Sequence, residues 1–76
     1  MVFQQDGFTF LFFSREETRM HIHVRHAAGE AKFWLEPVAE IAGNWGLSSR
    51  LTNRAFHLVR EHEDEIRAAW HRHFPR

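Results

Sequence analysis

Seventy-six residues make a single domain of less than average length, too short for a second domain or a long catalytic insert. Ten basic and ten acidic side chains cancel at pH 7 with histidine neutral, and 43% of the residues are apolar; this excludes both the basic footprint of an ordinary nucleic-acid binder and the composition of a disordered chain. There is no cysteine, so disulfides, thiolate zinc sites and cysteine nucleophiles are excluded too.

The elements read as strands first and helix last. Val2 to Gln5 and Phe8 to Ser14 flank Asp6-Gly7, a dipeptide diagnostic of a two-residue hairpin turn. Arg15 to Arg19 is a charged connection. Met20 to His26 alternates, with Met20, Ile22 and Val24 on one face and His21, His23 and Arg25 on the other. Ala27-Ala28-Gly29 makes a turn, and Ala31 to Leu35 alternates again, with Ala31, Phe33 and Leu35 opposite Lys32 and Trp34. Pro37 stops that strand. Val38 to Ala42 suits either a helical period or a short return strand, and the strand is preferred. Asn44-Trp45-Gly46 is expected to break the chain.

Ser48 is a natural N-cap, and nothing from Ser49 to about His73 interrupts a helix. Leu51, Ala55, Leu58, Val59, His62, Ile66, Ala69 and Trp70 form its apolar stripe. Arg60 with Asp64 and Glu63 with Arg67 are i,i+4 pairs on its outer side. The predicted fold is α+β: a single domain over 1–76, with an antiparallel meander of four to five strands (about 2–42) and one long C-terminal helix (about 49–73) packed on one face. The longest strictly apolar run, Phe10 to Phe13, is far short of the ~20 residues that cross a bilayer. Met1 to Asp6 has neither the basic start nor the apolar core of a signal peptide. A cytoplasmic location without membrane contact is therefore expected.

One helix covers one face of a sheet. The other face is expected to carry His21, His23, Arg25, Lys32 and Trp34, together with either Phe10 and Phe12 or Leu11 and Phe13. Eight phenylalanines and three tryptophans are a large apolar load for a domain that buries only ~60% of its unfolded surface. An open face with aromatic residues and cations is an expected contact surface, for a protein partner or for a second copy of the chain. Leu11, Phe13, Lys32 and Trp34 are its candidate residues.

His21-x-His23 is the most suggestive local motif. On a strand, i and i+2 point the same way, which suits a shared divalent ion such as zinc; two polar residues on a half-wet face are the plainer interpretation. His26 is a third ligand candidate, although a regular strand turns it to the opposite face. His62 lies inside the helical stripe with Glu65 nearby, and a hydrogen-bonded core histidine is the ordinary explanation. Glu61, Glu63, Asp64 and Glu65 supply paired carboxylates, usually a solvated face. No Gly-rich phosphate loop, nucleophile elbow or HExxH motif is present. Arg25, Lys32, Trp34 and the phenylalanines could stack and clamp single-stranded RNA, against which stands the zero net charge.

With His21-Ile22-His23-Val24, Ala31-Lys32-Phe33-Trp34-Leu35-Glu36-Pro37, Asn44-Trp45-Gly46-Leu47-Ser48 and Glu61-His62 followed by Trp70 and Phe74, the chain resembles the small prokaryotic family catalogued as domain of unknown function 4160. The resemblance covers nearly the whole chain, except that Glu17-Thr18-Arg19-Met20 stands where the family carries acidic and proline residues. It implies a heteromeric partner encoded by a small neighbouring gene, in a toxin–antitoxin-like arrangement, and marks His21, His23, His62 and Trp70 as the positions to watch. The leading expectation is a non-enzymatic interaction module, one component of a two-protein regulatory or toxin–antitoxin-type pair. The alternatives are a ribonuclease-like toxin, with His21 or His23 as general base and acid and Arg25 stabilising the phosphorane, and a metal-binding protein using the histidine pair.

Overall fold

The computed structural model describes residues 1–13 and 18–75. Five strands, β1 (Phe3–Gln5), β2 (Phe8–Leu11), β3 (His21–His26), β4 (Gly29–Trp34) and β5 (Glu40–Trp45), precede two helices, α1 (Ser49–Glu61) and α2 (Glu63–His73). The strands lie in sequence order, each antiparallel to the next. This is the α+β meander that the alternating patterns predict.

Local chemistry explains the elements. Asp6 and Gly7 both take positive φ, 55° and 81°, which is the type I′ geometry whose twist matches a hairpin. The Arg54 guanidinium of α1 grips the Asp6 carboxylate, its Nε donating to Oδ2 at 2.9 Å. Gly46 turns the chain out of β5 at φ 95°, where an added Cβ would lie 2.9 Å from the Ala28 carbonyl oxygen. The Ser48 hydroxyl accepts from Leu51 N at 3.1 Å and caps α1 as expected. Asn44 ties β5 to this start, accepting from Leu47 N at 3.0 Å and donating to Leu47 O at 2.9 Å.

Between sheet and helices sits one core. Phe8, Phe10, Ile22, Val24, Ala31, Phe33 and Leu35 from the sheet meet Ala55, Leu58, Val59, Ile66 and Trp70 from the helices. The even-numbered residues of β2 therefore face the helices. Leu11 and Phe13, not Phe10 and Phe12, belong to the other side.

Four expectations need correction. β2 ends at Leu11 instead of running to Ser14, because its pairing with β3 stops at Leu11 and His23; Phe12 still faces the helix layer and packs edge-on against Trp70 at 5.3 Å. Ser14 itself, and Arg15 to Glu17 of the charged connection, lie outside the described residues. The last strand spans Glu40–Trp45 rather than 38–42, so Asn44 and Trp45 belong to it and only Gly46 breaks the chain. The single long helix is two helices joined at His62, whose ψ of 20° leaves the helical range. The junction has an electrostatic logic: Arg60 lies in the last turn of α1, and Glu63, Asp64 and Glu65 open α2, charges that suit those helix ends. Correspondingly, Arg60 meets Glu63 at 3.9 Å instead of Asp64, while the predicted Glu63–Arg67 pair forms at 3.5 Å.

Trp70 anchors α2, 6% exposed and in contact with Phe12, His21 and Phe74. Trp70→Ala is expected to cost ~3–5 kcal/mol, the usual loss for a buried large aromatic and a large share of a small domain's stability. Urea denaturation of the variant and the wild type measures the difference.

Candidate functional site

The sheet face turned away from the helices carries every residue that strand alternation assigned to it. Cross-strand pairing sets Leu11 beside His23 and Lys32, and His21 beside Trp34 and Glu40, with Arg25, Glu30 and Trp45 in the next row. No helix of the described chain lies over this face; its side chains cover one another.

Trp34 is the centre of that arrangement. Arg19 stacks on its ring at 4.2 Å and the Lys32 ammonium lies 4.4 Å from its centroid. Cations on an indole face are held by the ring quadrupole. The Arg19 guanidinium also reaches the Glu40 carboxylate at 3.1 Å and donates to the Glu36 carbonyl at 2.8 Å. In the adjacent row Arg25 meets Glu30 at 3.5 Å and lies 5.4 Å from the Phe13 ring. The face is thus a patch of rings and alternating charges. Arg19 and Glu40, at its heart, carry no motif and were not singled out from sequence. Their only sequence signal is register, which needs the bulge described below.

The paired histidines do project together, as i and i+2 should, but the expectation that they are partly exposed is wrong. His21 is 0% exposed and His23 8%. Phe13 stacks on His23 with centroids 3.9 Å apart. His21 meets His23 edge-on at 5.1 Å and Trp34 at 5.6 Å. Pairing between β2 and β3 ends at Leu11 and His23, so no β2 residue stands beside His21, and Trp70 comes up to it from the helix layer at 5.3 Å. The His21 Nδ1–H donates to the Arg19 carbonyl at 2.8 Å, which fixes the ring's orientation.

The other candidates lie apart from this pair. His26 is turned to the helix side, where its ring lies tilted against Phe8 at 4.8 Å and its Nδ1 accepts from Ala28 N at 3.0 Å. His62 sits at the helix junction: its Nδ1–H donates to Glu65 at 2.9 Å, its Nε2 meets the Gln5 side-chain oxygen at 2.9 Å, and its ring lies 4.2 Å from Phe3. It fastens β1 to the helices. Glu61, Glu63 and Asp64 pair with neighbours or face solvent along the helices. Among the described residues, no three His, Asp or Glu side chains stand close enough to hold a metal ion, and no helix is long and apolar enough to cross a membrane.

A family model described as "Domain of unknown function (DUF4160)" matches residues 7–71. The chain belongs to that family. No curated protein and no solved structure matches it. In this DUF4160 member the matched span runs from the Asp6-Gly7 turn to within two residues of the end of α2. Strands β2 to β5 and the whole Trp34 patch fall inside it, and β1 lies before it.

Burial changes what the histidine pair is expected to do on substitution. Replacing both by alanine removes two rings packed among Phe13, Trp34 and Trp70. The double variant should therefore lose clearly more than the ~0.5 kcal/mol typical of a surface change, seen as a lower urea midpoint at unchanged slope. A midpoint equal to wild type would return the pair to the surface.

Proposed function

We propose that this DUF4160 domain is a non-enzymatic interaction module working in the cytoplasm, one component of a two-protein regulatory or toxin–antitoxin-type pair. The partner is a protein, and it seats on the sheet face away from the helices, over Leu11, Phe13, Lys32 and Trp34. The observation that carries this reading is Trp34: a large aromatic on a face no helix of the described chain covers, with Arg19 and Lys32 both against its ring. Rigid aromatics beside arginine are the residue types that dominate protein interfaces.

Two features favour a protein over RNA. Arg19 and Arg25 are already matched by Glu40 and Glu30, whereas phosphate affinity comes from cations that neutralise the backbone. The charges alternate in sign, a pattern that gives specificity against a complementary protein surface. Catalysis by the histidines is disfavoured on access. A general base must come within hydrogen-bond reach of the proton it takes, and His21 and His23 are packed under their neighbours. A zinc ion at the pair would face the same obstacle and would need ligands beyond those two rings.

The test is co-expression of the tagged chain with the product of its neighbouring gene, followed by affinity measurement with the double variant Trp34→Ala/Lys32→Glu. The variant should stay folded by circular dichroism and lose ~2 kcal/mol or more of binding, roughly thirtyfold in Kd. Unchanged affinity would move the partner off this face. Growth arrest with RNA breakdown on expression of the chain alone, abolished by His23→Ala in a folded variant, would support the ribonuclease instead.

A further inference from the structure

We propose that β5 is a homodimer edge: two copies of the chain pair β5 to β5 antiparallel, joining their meanders into one ten-stranded sheet. This does not rest on the partner reading above, since the two copies join through the backbone edge of the sheet.

Hydrophobic exposure is concentrated there. Among the described residues the exposed large hydrophobics are Val38, Ile41 and Trp45, at 62%, 48% and 59%, and the remote Met1. Ile41 and Trp45 lie on β5 and Val38 on its approach. β5 ends the strand order, so its outer backbone edge has no strand beside it among the described residues. Native edges of this kind are usually blunted by lysine, proline or a bulge. β5, Glu40-Ile41-Ala42-Gly43-Asn44-Trp45, carries no lysine or proline, and of these devices has the bulge at Ala42.

The second argument is register. Along β5, Lys32 pairs with Gly43 and Phe33 with Ile41, so Ala42 is an extra residue, a bulge. It resets the alternation. Glu40, Gly43 and Trp45 pair with Trp34, Lys32 and Glu30 on the outer face, while Ile41 and Asn44 pair with Phe33 and Ala31 on the helix face. With Ala42 and Gly43 taken together as the two bulge residues opposite Lys32, the strand presents the same order of faces from either end. An antiparallel second copy aligned with Glu40 opposite Trp45, Ile41 opposite Asn44 and Ala42 opposite Gly43 therefore sets outer residues against outer and helix-side against helix-side. A one-residue slip either way opposes unlike faces. In the matching register each Trp45 meets the Glu40 carboxylate of the second copy, itself bonded to Arg19, an arrangement in which the indole N–H has an acceptor. The formal charge of zero leaves no net repulsion to oppose association. A foreign strand could use the same edge, but only this strand supplies its own matching order of faces.

The absence of native cysteine makes the register testable in the full chain. Sedimentation at tens of micromolar should give a species of twice the 9.1 kDa monomer mass. Trp45→Glu, which opposes a carboxylate to Glu40, should sediment as a folded monomer with unchanged circular dichroism. Glu40→Cys/Trp45→Cys should oxidise to a covalent dimer, because opposed Cβ atoms lie about 4.5–5.5 Å apart in such a pair. Within one chain the two positions are about 16 Å apart. Each single variant alone should fail to cross-link, and the two mixed should give only the mixed dimer. A wild-type monomer at this concentration overturns the proposal. So does a dimer that survives Trp45→Glu, or cross-linking of Glu40→Cys to itself.

Discussion

One layer of helices can shield only one face of a sheet, and the rest of this molecule follows from that constraint. Every strand gives alternate side chains to the helix side, where phenylalanine, isoleucine, valine and leucine make a conventional core. The opposite side inherits histidine, tryptophan, arginine, lysine and phenylalanine and has nothing to bury them under. The structure resolves this by stacking: cations on Trp34, Phe13 on His23, and Trp70 reaching His21 where β2 stops short. Two buried histidines on a nominally wet face are the result.

That solution explains which parts were legible in the residues. Period-two alternation located β3 and β4 and assigned their faces, because alternation depends only on backbone geometry. Asp6-Gly7 and Ser48 announced a turn and a cap through chemistry that acts over three or four residues. The burial of His21 was not legible, because it depends on Trp70, distant in sequence, and on the register at which β2 ends. The helix break at His62 left a trace in Arg60 followed by Glu63-Asp64-Glu65. The continuous apolar stripe masks that trace, since it runs through the junction without losing phase.

The two surfaces differ in kind. The Trp34 face is polar, ring-rich and internally paired, so a partner there must exchange existing contacts for new ones, which favours selectivity over raw affinity. The β5 rim offers backbone groups and apolar side chains, which supply affinity through a ladder and specificity through register. A domain this small can present both at once because the rim and the face share Glu40 and Trp45. The Arg19–Glu40 pair lies where the two meet.

The junction histidine also bears on how the chain comes off the ribosome. Gln5 is held by His62 and Asp6 by Arg54, separations of 57 and 48 residues. The first hairpin made is thus fastened by helices made last. Strands β2 to β5 can zip sequentially as each neighbour emerges. Their helix-facing side chains nonetheless stay uncovered until the helices follow, Phe33 until Phe56 of α1 reaches it. Until α1 and α2 have both followed it out, the sheet is greasy on one side, and over that interval the chain is open to aggregation.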